Sequence, residues 1–536
     1  MENLTVLILT DLTPASLGLL EGETGITTRF AAPAQANLRD LLTGVQAVIT
    51  RDDLRIDAAL LESAPDLRVI GRMGVDISNI DLDAATNRGI LVMNTPGTNA
   101  VAAGEYTIAL MLALSRKLVA AHHSLLNGHW PPDKAQIQGM QLQGKVLGII
   151  GLGRVGQVVA ERCLAFGMTV LAYDPYIDET DIEDDRVLLV GMKELLHRSD
   201  IVTLHVPATD ETRGMVDAGM IARMKRGVLL VNTAHSSVLD EAAAAQALES
   251  GHLGGVALDV YSPEAKPDSP LVGHDRVLHT PHIGDNTVEA AQNLSFQIVQ
   301  QVIDALRGTD YRNVVNMPFL PGTDYEAIRP YLVLAEHMGI LLNVLARRDI
   351  RQVEVEFRGE EVHGLVKPLV VALLKGLLLP LLGEQVNYIN APVLAAERGM
   401  RVMQTKGLET AHYTNLVSCK VTLEDGEAII MAGTLLDHQV PHIIQINQYR
   451  MNFVPEGHLL ILGSYDKPGV IGRVGTLMAQ NNINIASWHT GRAHPGGQTL
   501  TVITLDYPIP DQVLEDLRQL DFVRHVRQLS IENITG

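Results

Sequence analysis

Three glycines in one short stretch of the chain are spaced for holding a phosphate-containing ligand. They follow a strand-like apolar run at 146–150, in the order G-L-G-R-V-G, and a helical pattern continues from them to about residue 166. The first glycine permits a tight turn, the second lets the backbone approach a pyrophosphate, and the third allows close packing of helix on strand. Free N–H groups and the positive dipole end of the helix favour phosphates. The predicted contacts with a dinucleotide are Gly151, Gly153, Arg154, Val155 and Gly156.

An acidic residue stands where the sugar of such a ligand is expected. A second strand-like run, 169–173, ends on Asp174. The carboxylate can accept hydrogen bonds from a ribose 2′-hydroxyl and would repel a 2′-phosphate. Strand, glycine turn, helix, second strand and terminal acid together predict a site for NAD rather than NADP.

A histidine near the end of another predicted strand can carry acid–base chemistry. His282 follows the run 277–280, within T-P-H-I-G. Imidazole titrates near neutral pH, and doubly wound folds place their chemistry at the carboxyl ends of parallel strands. From the residues alone two interpretations stay open: His282 transfers a proton, or it only closes a loop.

The elements that position these residues alternate between strands and helices. Runs typical of buried strands lie at 4–9, 47–50, 67–70, 90–93, 201–205, 228–232, 255–260 and 277–280. Long helical patterns at 101–118 and 286–306 can carry the chain out of the first set of strands and back to it. The predicted fold class is α/β: a doubly wound NAD-binding (Rossmann) domain at 98–286, inserted in a flavodoxin-like substrate domain at 1–97 and 287–317.

Two further regions follow. Residues 318–453 mix strands and helices, with a hairpin near 419–434, and predict an α+β intervening domain. Residues 456–536 follow the order strand, helix, strand, strand, helix, strand, which is typical of a ferredoxin-like layer. The most apolar run, 365–382, contains two lysines and two prolines, so it predicts a core helix rather than a membrane span.

Composition excludes several classes of protein. The formal net charge of −20 argues against nucleic acid or an anionic membrane as the main partner. The two cysteines cannot build a disulfide framework or a zinc site, which suits a reducing compartment. The chain begins with an acidic rather than a basic segment, unlike a signal peptide. We therefore expect a cytoplasmic protein that binds a small molecule and no metal.

Motifs along most of the chain carry a family resemblance. They are GRMG at 71–74 with NIDLDAAT at 79–86, VMNTPGTNAVAAGEYT at 92–107, the glycine motif, VNTAHSSVLDEAA at 231–243, GVALDVYSPEAKP at 255–267 and TPHIGDNTVEAAQ at 280–292. They resemble the D-isomer-specific 2-hydroxyacid dehydrogenase family in its long, four-domain form. The last 220 or so residues look like an intervening domain, of the allosteric substrate-binding type, and an ACT regulatory domain.

The resemblance implies a specific oxidoreductase activity. Members of this form use NAD to oxidise 3-phospho-D-glycerate to 3-phosphohydroxypyruvate, which opens L-serine biosynthesis. The resemblance also implies L-serine as a possible allosteric effector. It implies a homo-oligomer, either a dimer or a homotetramer.

The resemblance also assigns roles to residues around the predicted NAD site. His282 matches the base that takes the hydroxyl proton as hydride leaves the substrate. Glu264 matches the acid that holds this histidine and raises its pKa. Asp259 matches an acid that contacts the nicotinamide carboxamide. Further contacts with NAD are expected from Thr233, Ala234 and His282.

One catalytic position departs from the family. The family places an arginine where this chain has His235, in N-T-A-H-S-S. Imidazole is shorter than guanidinium, has no bidentate fork and is charged only when protonated. Two alternatives to the implied activity therefore stay open: a dehydrogenase or reductase of another 2-hydroxy or 2-oxo acid, and a catalytically impaired homologue that binds NAD and an amino acid.

Substrate contacts are expected outside the glycine motif. By resemblance, Arg51 and Arg72 bind a substrate phosphate, the backbone around Gly74 binds a carboxylate, and Asn99 contacts the substrate. Asp52 and Asp76 replace a serine and a glycine of the family. Added carboxylates repel a phosphate dianion unless they turn away from it.

Two residues near the end of the chain are expected to be regulatory. Asp466, in D-K-P-G, and Asn484, in N-I-N-I, match amino-acid contacts of ACT domains. An aspartate can hold an α-ammonium group, and helix N–H groups can hold a carboxylate. Both residue types also form turns, and that interpretation explains the two positions equally well.

Overall fold

The computed structural model describes residues 3–31, 38–51, 54–130, 137–178, 180, 182, 184–261, 269–317, 319, 325–346, 348–407 and 413–531. The chain divides into two compact units. The first unit comprises Met1–Asp11, Leu19–Asn94 and Ile298–Gly536, and the second comprises Leu12–Gly18 and Thr95–Gln297. The domain boundaries predicted from the sequence stay predictions.

A five-stranded parallel sheet opens the first unit, in the order β2-β1-β3-β4-β5. Its elements are β1 (Leu4–Ile8), α1 (Pro14–Glu21), β2 (Ile26–Phe30), α2 (Leu38–Leu41), β3 (Ala47–Thr50), α3 (Ala58–Glu62), β4 (Val69–Arg72), α4 (Leu82–Asn87) and β5 (Leu91–Met93). This strand order is that of a flavodoxin-like fold, as predicted. Strand β2 was not predicted, because it is an edge strand with no fully buried residue and so lacks an apolar run.

The second unit is built on a seven-stranded parallel sheet, in the order β12-β11-β10-β9-β6-β7-β8. Its elements are α5 (Ala100–Ser115), α6 (Leu118–Leu126), β6 (Val146–Ile150), α7 (Arg154–Ala165), β7 (Thr169–Tyr173), β8 (Val187–Leu189), α8 (Met192–Arg198), β9 (Ile201–Leu204), α9 (Ala218–Ala222), β10 (Val228–Asn232), α10 (Glu241–Glu249), β11 (Leu253–Leu258) and β12 (Val277–His279). The order reverses at β6, which is the arrangement of a doubly wound fold and confirms the predicted class.

One predicted helix of the second unit is broken. The pattern at 101–118 predicts a single helix, but α5 ends at Ser115 and α6 starts at Leu118. Between them, Lys117 has a left-handed backbone with φ of 51°. A non-glycine residue in this conformation cannot continue a right-handed helix, so the break is local and steric.

The chain returns through α11 (Val288–Arg307) to a six-stranded sheet, in the order β14-β13-β15-β16-β17-β18. Its elements are α12 (Tyr325–Leu345), β13 (Ile350–Arg358), α13 (Glu360–His363), α14 (Val366–Leu382), α15 (Ala391–Glu397), β14 (Arg401–Gly407), β15 (Leu416–Leu423), β16 (Ala428–Leu436), β17 (Val440–Ile446) and β18 (Tyr449–Phe453). Strands β15 and β16 form the predicted hairpin, and α14 is the predicted core helix. Its Gly376 lies so near the Glu336 carbonyl of α12 that an added Cβ would overlap it.

Helix α12 is long and apolar enough, by length and composition alone, to cross a membrane. A core helix passes the same test, and 67% of its apolar window is buried inside the structure.

The last sheet has four antiparallel strands, in the order β20-β21-β19-β22. Its elements are β19 (Gly457–Tyr465), α16 (Val470–Gln480), β20 (Ile485–Arg492), β21 (Gln498–Leu505), α17 (Asp511–Arg518) and β22 (Val523–Ile531). The βαββαβ succession and this strand order confirm the predicted ferredoxin-like layer. Its core is formed by apolar residues of both helices, including Val474 and Leu517, packed on the sheet.

Candidate active site

The glycine loop after β6 has the shape of a dinucleotide cradle. Gly151 has φ of 94°, and an added Cβ would lie 2.6 Å from the carbonyl oxygen of His205. At Gly156 a Cβ would overlap the Gly151 carbonyl, so only glycine lets α7 pack against the loop. Around Gly153 no atom lies within 4 Å of an added Cβ. The loop is therefore open beside the start of α7, where unpaired N–H groups can bind phosphates.

Asp174 lies at the end of β7, the neighbour of β6. One carboxylate oxygen accepts a hydrogen bond from the backbone of Leu152 at 2.9 Å, and the other accepts one from Tyr176 at 3.0 Å. These bonds fix the acid beside the glycine loop. A carboxylate has about four lone-pair sites, so Asp174 retains the capacity to accept from ribose hydroxyls. The residues present fit NAD.

The other predicted residues of α7 act in different ways. The Arg154 guanidinium donates a hydrogen bond to the carbonyl of Pro96 at 2.6 Å. An added Cβ on Gly97, where φ is 76°, would overlap the same side chain. The arginine side chain therefore braces the 96–97 turn, while Val155 is half-buried on the helix. At Arg154 and Val155, a phosphate would therefore contact the backbone rather than the side chains.

Asp259 holds the turn that carries His282. The carboxylate is 1% exposed. It accepts hydrogen bonds from the Thr280 hydroxyl at 2.6 Å, the Ile283 amide at 3.0 Å and the Gly284 amide at 2.8 Å. Within this turn His282 is exposed, with a left-handed φ of 53°. A left-handed histidine costs conformational energy, and the three bonds to Asp259 stabilise it. The predicted contact of Asp259 with nicotinamide stays a prediction.

His235 follows strand β10 and caps a short 3₁₀ helix, Ser236–Val238. Its ring Nδ1 accepts a hydrogen bond from the Ser237 amide at 3.2 Å and lies 2.9 Å from the Ser237 hydroxyl. Since Nδ1 accepts, the ring hydrogen lies on Nε2. The exposed imidazole therefore presents a neutral donor rather than a fixed cation.

The two residues before His235 are held by the protein. The side chain of Asn232 accepts from the Ala234 amide at 3.1 Å and donates to the His235 carbonyl at 3.0 Å. The Thr233 hydroxyl lies 2.8 Å from the Thr107 hydroxyl of α5. The loop expected to contact NAD is thus rigidly placed at the carboxyl end of β10.

Helix α5 supplies residues that the sequence reasoning missed. Besides Thr107, its Tyr106 contacts Thr280 in the turn that carries His282, and burial together with the charge of Asp259 raises the pKa of Tyr106. Asn99, which precedes the helix and was already predicted to contact the substrate, donates its side-chain amide to the Asp285 carboxylate at 2.8 Å. The seven-residue spacing from 99 to 106 was a usable signal, because it places both residues on one helical face.

Some of the expected residues are not described. Glu264 and Asp52 lie outside the described residues, so the predicted His282–Glu264 pair stays a prediction. Within the described ranges, no group of three His, Cys, Asp or Glu residues could hold a metal ion.

The expected phosphate ligands lie together in the first unit. Strands β3 and β4 are paired, with Thr50 opposite Arg72, so Arg51 and Arg72 share the carboxyl edge of the sheet. Arg72 is 6% exposed, and its Nη1 donates to the Met73 carbonyl at 2.8 Å. Gly74 has φ of 119°, and an added Cβ would overlap Nη1. A buried guanidinium beside a glycine turn is suited to binding an anion.

The nearby Asp76 is directed to its own turn. Its oxygens accept from the Ser78 amide at 3.0 Å and the Ser78 hydroxyl at 2.7 Å. Partial burial alone would raise the pKa of Asp76, but these bonds and the charge of Arg72 lower it overall. Asp76 is thus a carboxylate stabilised in its charged form, with both oxygens engaged by Ser78.

The two expected regulatory residues lie at opposite ends of the last sheet. Asp466 follows Tyr465, which is opposite Gln498, whereas Asn484 precedes Ile485, which is opposite Leu505. Asp466 accepts from the Gly496 amide at 2.9 Å, and Asn484 donates to Asp506 at 2.8 Å. A single copy of the domain does not bring the two residues together.

Comparisons with known proteins agree with this architecture. The model of the D-isomer specific 2-hydroxyacid dehydrogenase NAD binding domain matches residues 108–284. The D-3-phosphoglycerate dehydrogenase intervening domain matches 327–447, and the ACT domain matches 458–522.

Relatives match nearly the whole chain. A D-3-phosphoglycerate dehydrogenase of Archaeoglobus fulgidus is 41% identical over 479 residues, covering 89% of this chain and 90% of the relative. A D-3-phosphoglycerate dehydrogenase of Bacillus subtilis is 34% identical over 496 residues, covering 92% of this chain and 94% of the relative.

Solved structures match the first part of the chain. A glyoxylate reductase from Paecilomyes thermophila superposes with a TM-score of 0.53 at 27% identity, covering 59% of this chain and 99% of the other. A D-lactate dehydrogenase from Aquifex aeolicus, complexed with NAD and lactic acid, has a TM-score of 0.50 at 28% identity. The match covers 57% of this chain and 96% of the other. The chain therefore belongs to the D-isomer specific 2-hydroxyacid dehydrogenase family of NAD-dependent enzymes, in the form that carries an intervening and an ACT domain.

Proposed function

We propose that the chain oxidises 3-phospho-D-glycerate to 3-phosphohydroxypyruvate with NAD, the first step of L-serine biosynthesis. The assignment of this substrate rests on Arg51 and Arg72, which share one sheet edge. The Arg72 guanidinium is buried against Gly74. Guanidinium groups bind phosphate through paired, charge-assisted hydrogen bonds. The names of the relatives, D-3-phosphoglycerate dehydrogenase, support the same substrate.

In the proposed reaction each residue has a defined task. NAD, when bound, supplies the hydride acceptor, and the glycine loop with Asp174 holds it. His282 takes the proton of the substrate hydroxyl, from a turn that Asp259 keeps in place. His235 donates from Nε2 to the developing carbonyl oxygen, in the position of the family arginine. The family resemblance assigns to Glu264 the task of holding His282.

The proposal is tested by following NADH oxidation with 3-phosphohydroxypyruvate, 2-oxoglutarate and pyruvate. We expect turnover with the phosphorylated acid above the other two. Turnover with only 2-oxoglutarate or pyruvate would instead indicate a dehydrogenase or reductase of another 2-hydroxy or 2-oxo acid. Tight NADH binding without any turnover would favour a catalytically impaired homologue.

We further propose that the ACT domain binds L-serine between two copies of the chain. Asp466 and Asn484 lie at opposite ends of one domain, so a site that uses both takes one residue from each copy. This supports a homo-oligomer, a dimer or a tetramer. Calorimetric titration with L-serine should show binding by the wild type and weaker binding by Asn484→Ala. Absence of binding by the wild type would contradict the proposal.

We propose a cytoplasmic location. Cys163 and Cys419 are both free and buried, as suits a reducing compartment. Burial raises the pKa of the Cys163 thiol to about 12, which keeps it protonated and unreactive. Fractionation of cells that express the chain tests the location, and recovery in a membrane or secreted fraction would contradict it.

A further inference from the structure

The loop after β9 presents a closed turn beside the glycine loop. Strand β9 pairs with β6, and the carbonyl of His205, the first residue after β9, lies against Gly151. Farther along, the Thr209 amide donates to the Thr212 hydroxyl at 2.8 Å, and the Thr212 amide donates to the Thr209 hydroxyl at 3.2 Å. These reciprocal bonds fix the backbone of Glu211, which lies between the two threonines and is exposed.

One tyrosine connects this turn with the acid expected at the ribose. The Tyr176 amide donates to Asp174 at 3.0 Å, and the Tyr176 hydroxyl donates to the Glu211 carboxylate at 3.3 Å. The negative charge of Glu211 and the hydrogen bond to it raise the pKa of Tyr176, so the phenol stays a donor. The carboxylates of Asp174 and Glu211 are therefore separated by one tyrosine residue.

The geometry of the fold directs the base of NAD into this gap. Dinucleotides bind at the carboxyl ends of the strands, where the strand order reverses, with the pyrophosphate at the glycine loop. An acid at the position of Asp174 binds the ribose that carries adenine. The adenine ring then extends from Asp174 toward the loops after β7 and β9, to which Tyr176 and Glu211 belong. Adenosine, from its 2′-hydroxyl to its 6-amino group, is similar in length to a tyrosine residue, so adenine can reach Glu211.

Glu211 has the chemistry to recognise the 6-amino group of adenine. An ionised carboxylate only accepts hydrogen bonds and has about four lone-pair sites, so the bond from Tyr176 leaves capacity for a second donor. The 6-amino group is such a donor, whereas hypoxanthine carries a carbonyl oxygen at the same position. Two facing acceptors form no hydrogen bond, and their mutual repulsion disfavours the wrong base.

We propose that Glu211 selects the base of the dinucleotide by accepting a hydrogen bond from the 6-amino group of adenine. Tyr176 is a positioning residue, which holds the Glu211 carboxylate in place. Asp174 then recognises the sugar and Glu211 the base, at opposite ends of the adenosine. The inference concerns the cofactor alone, so it is independent of which 2-hydroxy acid the chain oxidises.

The test compares NADH with reduced nicotinamide hypoxanthine dinucleotide, in which the 6-amino group is replaced by a carbonyl. The Kd of each for the full chain is measured by the fluorescence of the reduced nicotinamide ring, which both carry. A hydrogen bond to a charged group corresponds to a roughly 10- to 100-fold change in Kd, so the wild type should bind NADH at least about tenfold more tightly. In Glu211→Ala this preference should fall below about twofold, because only NADH loses a partner.

Two further variants separate the hydrogen bond from the charge of the turn. Asp210→Ala removes one negative charge from the same turn, at a fully exposed side chain, and should keep the preference of the wild type. Tyr176→Phe retains the ring but loses the hydroxyl that holds Glu211, so the preference should fall about threefold. Because both residues act through one contact, Tyr176→Phe should have no further effect when combined with Glu211→Ala.

Several results would overturn the inference. A wild type that binds both dinucleotides equally, or an unchanged preference in Glu211→Ala, would show that Glu211 does not select the base. Equal losses of preference in Asp210→Ala and Glu211→Ala would assign the selectivity to the charge of the turn rather than to a hydrogen bond. An unchanged preference in Tyr176→Phe would remove the positioning role of Tyr176.

Discussion

The Nδ1 of His235 accepts a hydrogen bond from the backbone amide of Ser237. This bond determines which ring nitrogen of His235 is available at the position where the family has an arginine. The imidazole is bound on one side as a helix cap, so only Nε2–H can face a substrate oxygen. The site therefore has a neutral hydrogen-bond donor in place of a permanent positive charge.

This arrangement predicts the effect of replacing His235. His235→Asn keeps an oxygen that can cap Ser237 but loses the Nε2 donor, so we expect kcat to fall about 100-fold, as when an oxyanion donor is removed. His235→Arg restores a donor and should remain within roughly tenfold of the wild type. Steady-state kinetics with 3-phosphohydroxypyruvate checks both variants. An unchanged kcat in His235→Asn would show that His235 caps the short helix and takes no part in the reaction.

Asp174→Ala should weaken NAD binding and relax the discrimination against NADP. The change removes the acceptor of the Leu152 amide and the group expected to meet the ribose. Hydrogen bonds to a charged group are worth about 1.5–3 kcal/mol, so we expect a 10- to 100-fold higher Kd for NADH. Fluorescence titrations with NADH and NADPH measure this. Asp184→Ala, a half-buried aspartate paired with Arg186, is the control and should leave both affinities unchanged.

Gly74→Ala should impair binding of the phosphorylated substrate without affecting NADH. An added Cβ would displace the Arg72 guanidinium, and φ of 119° adds backbone strain. We expect a 10- to 100-fold rise in KM for 3-phosphohydroxypyruvate. Gly44→Ala is a matched control in the same unit, because it has φ of 69° but no atom within 4 Å of the added Cβ. If both variants behave alike, strain rather than Arg72 is responsible.

His337 predicts a dependence of stability on pH. The residue is 3% exposed in α12, and burial lowers its pKa to about 4. In the unfolded chain the pKa is about 6.5, so between these values the unfolded state binds a proton that the native state lacks. Stability is therefore lost as pH falls from 6.5 toward 4.

The matching experiment compares the wild type with His337→Leu. Over this pH window we expect the wild type to lose roughly 3 kcal/mol more free energy of unfolding than the variant, at about 1.4 kcal/mol per pKa unit. Urea unfolding at pH 7 and pH 4.5 measures the difference. The exposed His197, replaced by leucine, serves as the control. Parallel pH profiles for wild type and His337→Leu would show that this histidine is not responsible.

The central strands could be predicted from the sequence because burial on both faces leaves a plain apolar run. Strands β6, β7 and β10 have the bounds that the sequence indicates, 146–150, 169–173 and 228–232. Edge strands β2 and β8 have exposed positions and were missed. Helix α12 was also missed, although 13 of its residues are buried.

The candidate site divides in the same way. Gly151 and Gly156 could be identified from the spacing of glycines in the sequence, because the backbone geometry of the loop requires glycine at these positions. The Asp259 bonds and the Asn99–Asp285 bond join positions far apart in the chain, so only the folded structure reveals them. Likewise, the sequence indicates that His235 replaces an arginine, but not that its Nδ1 is used by Ser237.

The most direct test of the proposed function compares two acids that differ only in the phosphate, 3-phosphohydroxypyruvate and hydroxypyruvate. Two guanidinium groups that bind the phosphate, each worth about 1.5–3 kcal/mol, predict a kcat/KM at least about 100-fold higher for the phosphorylated acid. Equal values for the two acids, or a preference for hydroxypyruvate, would contradict the assignment of Arg51 and Arg72 and of 3-phospho-D-glycerate as the substrate.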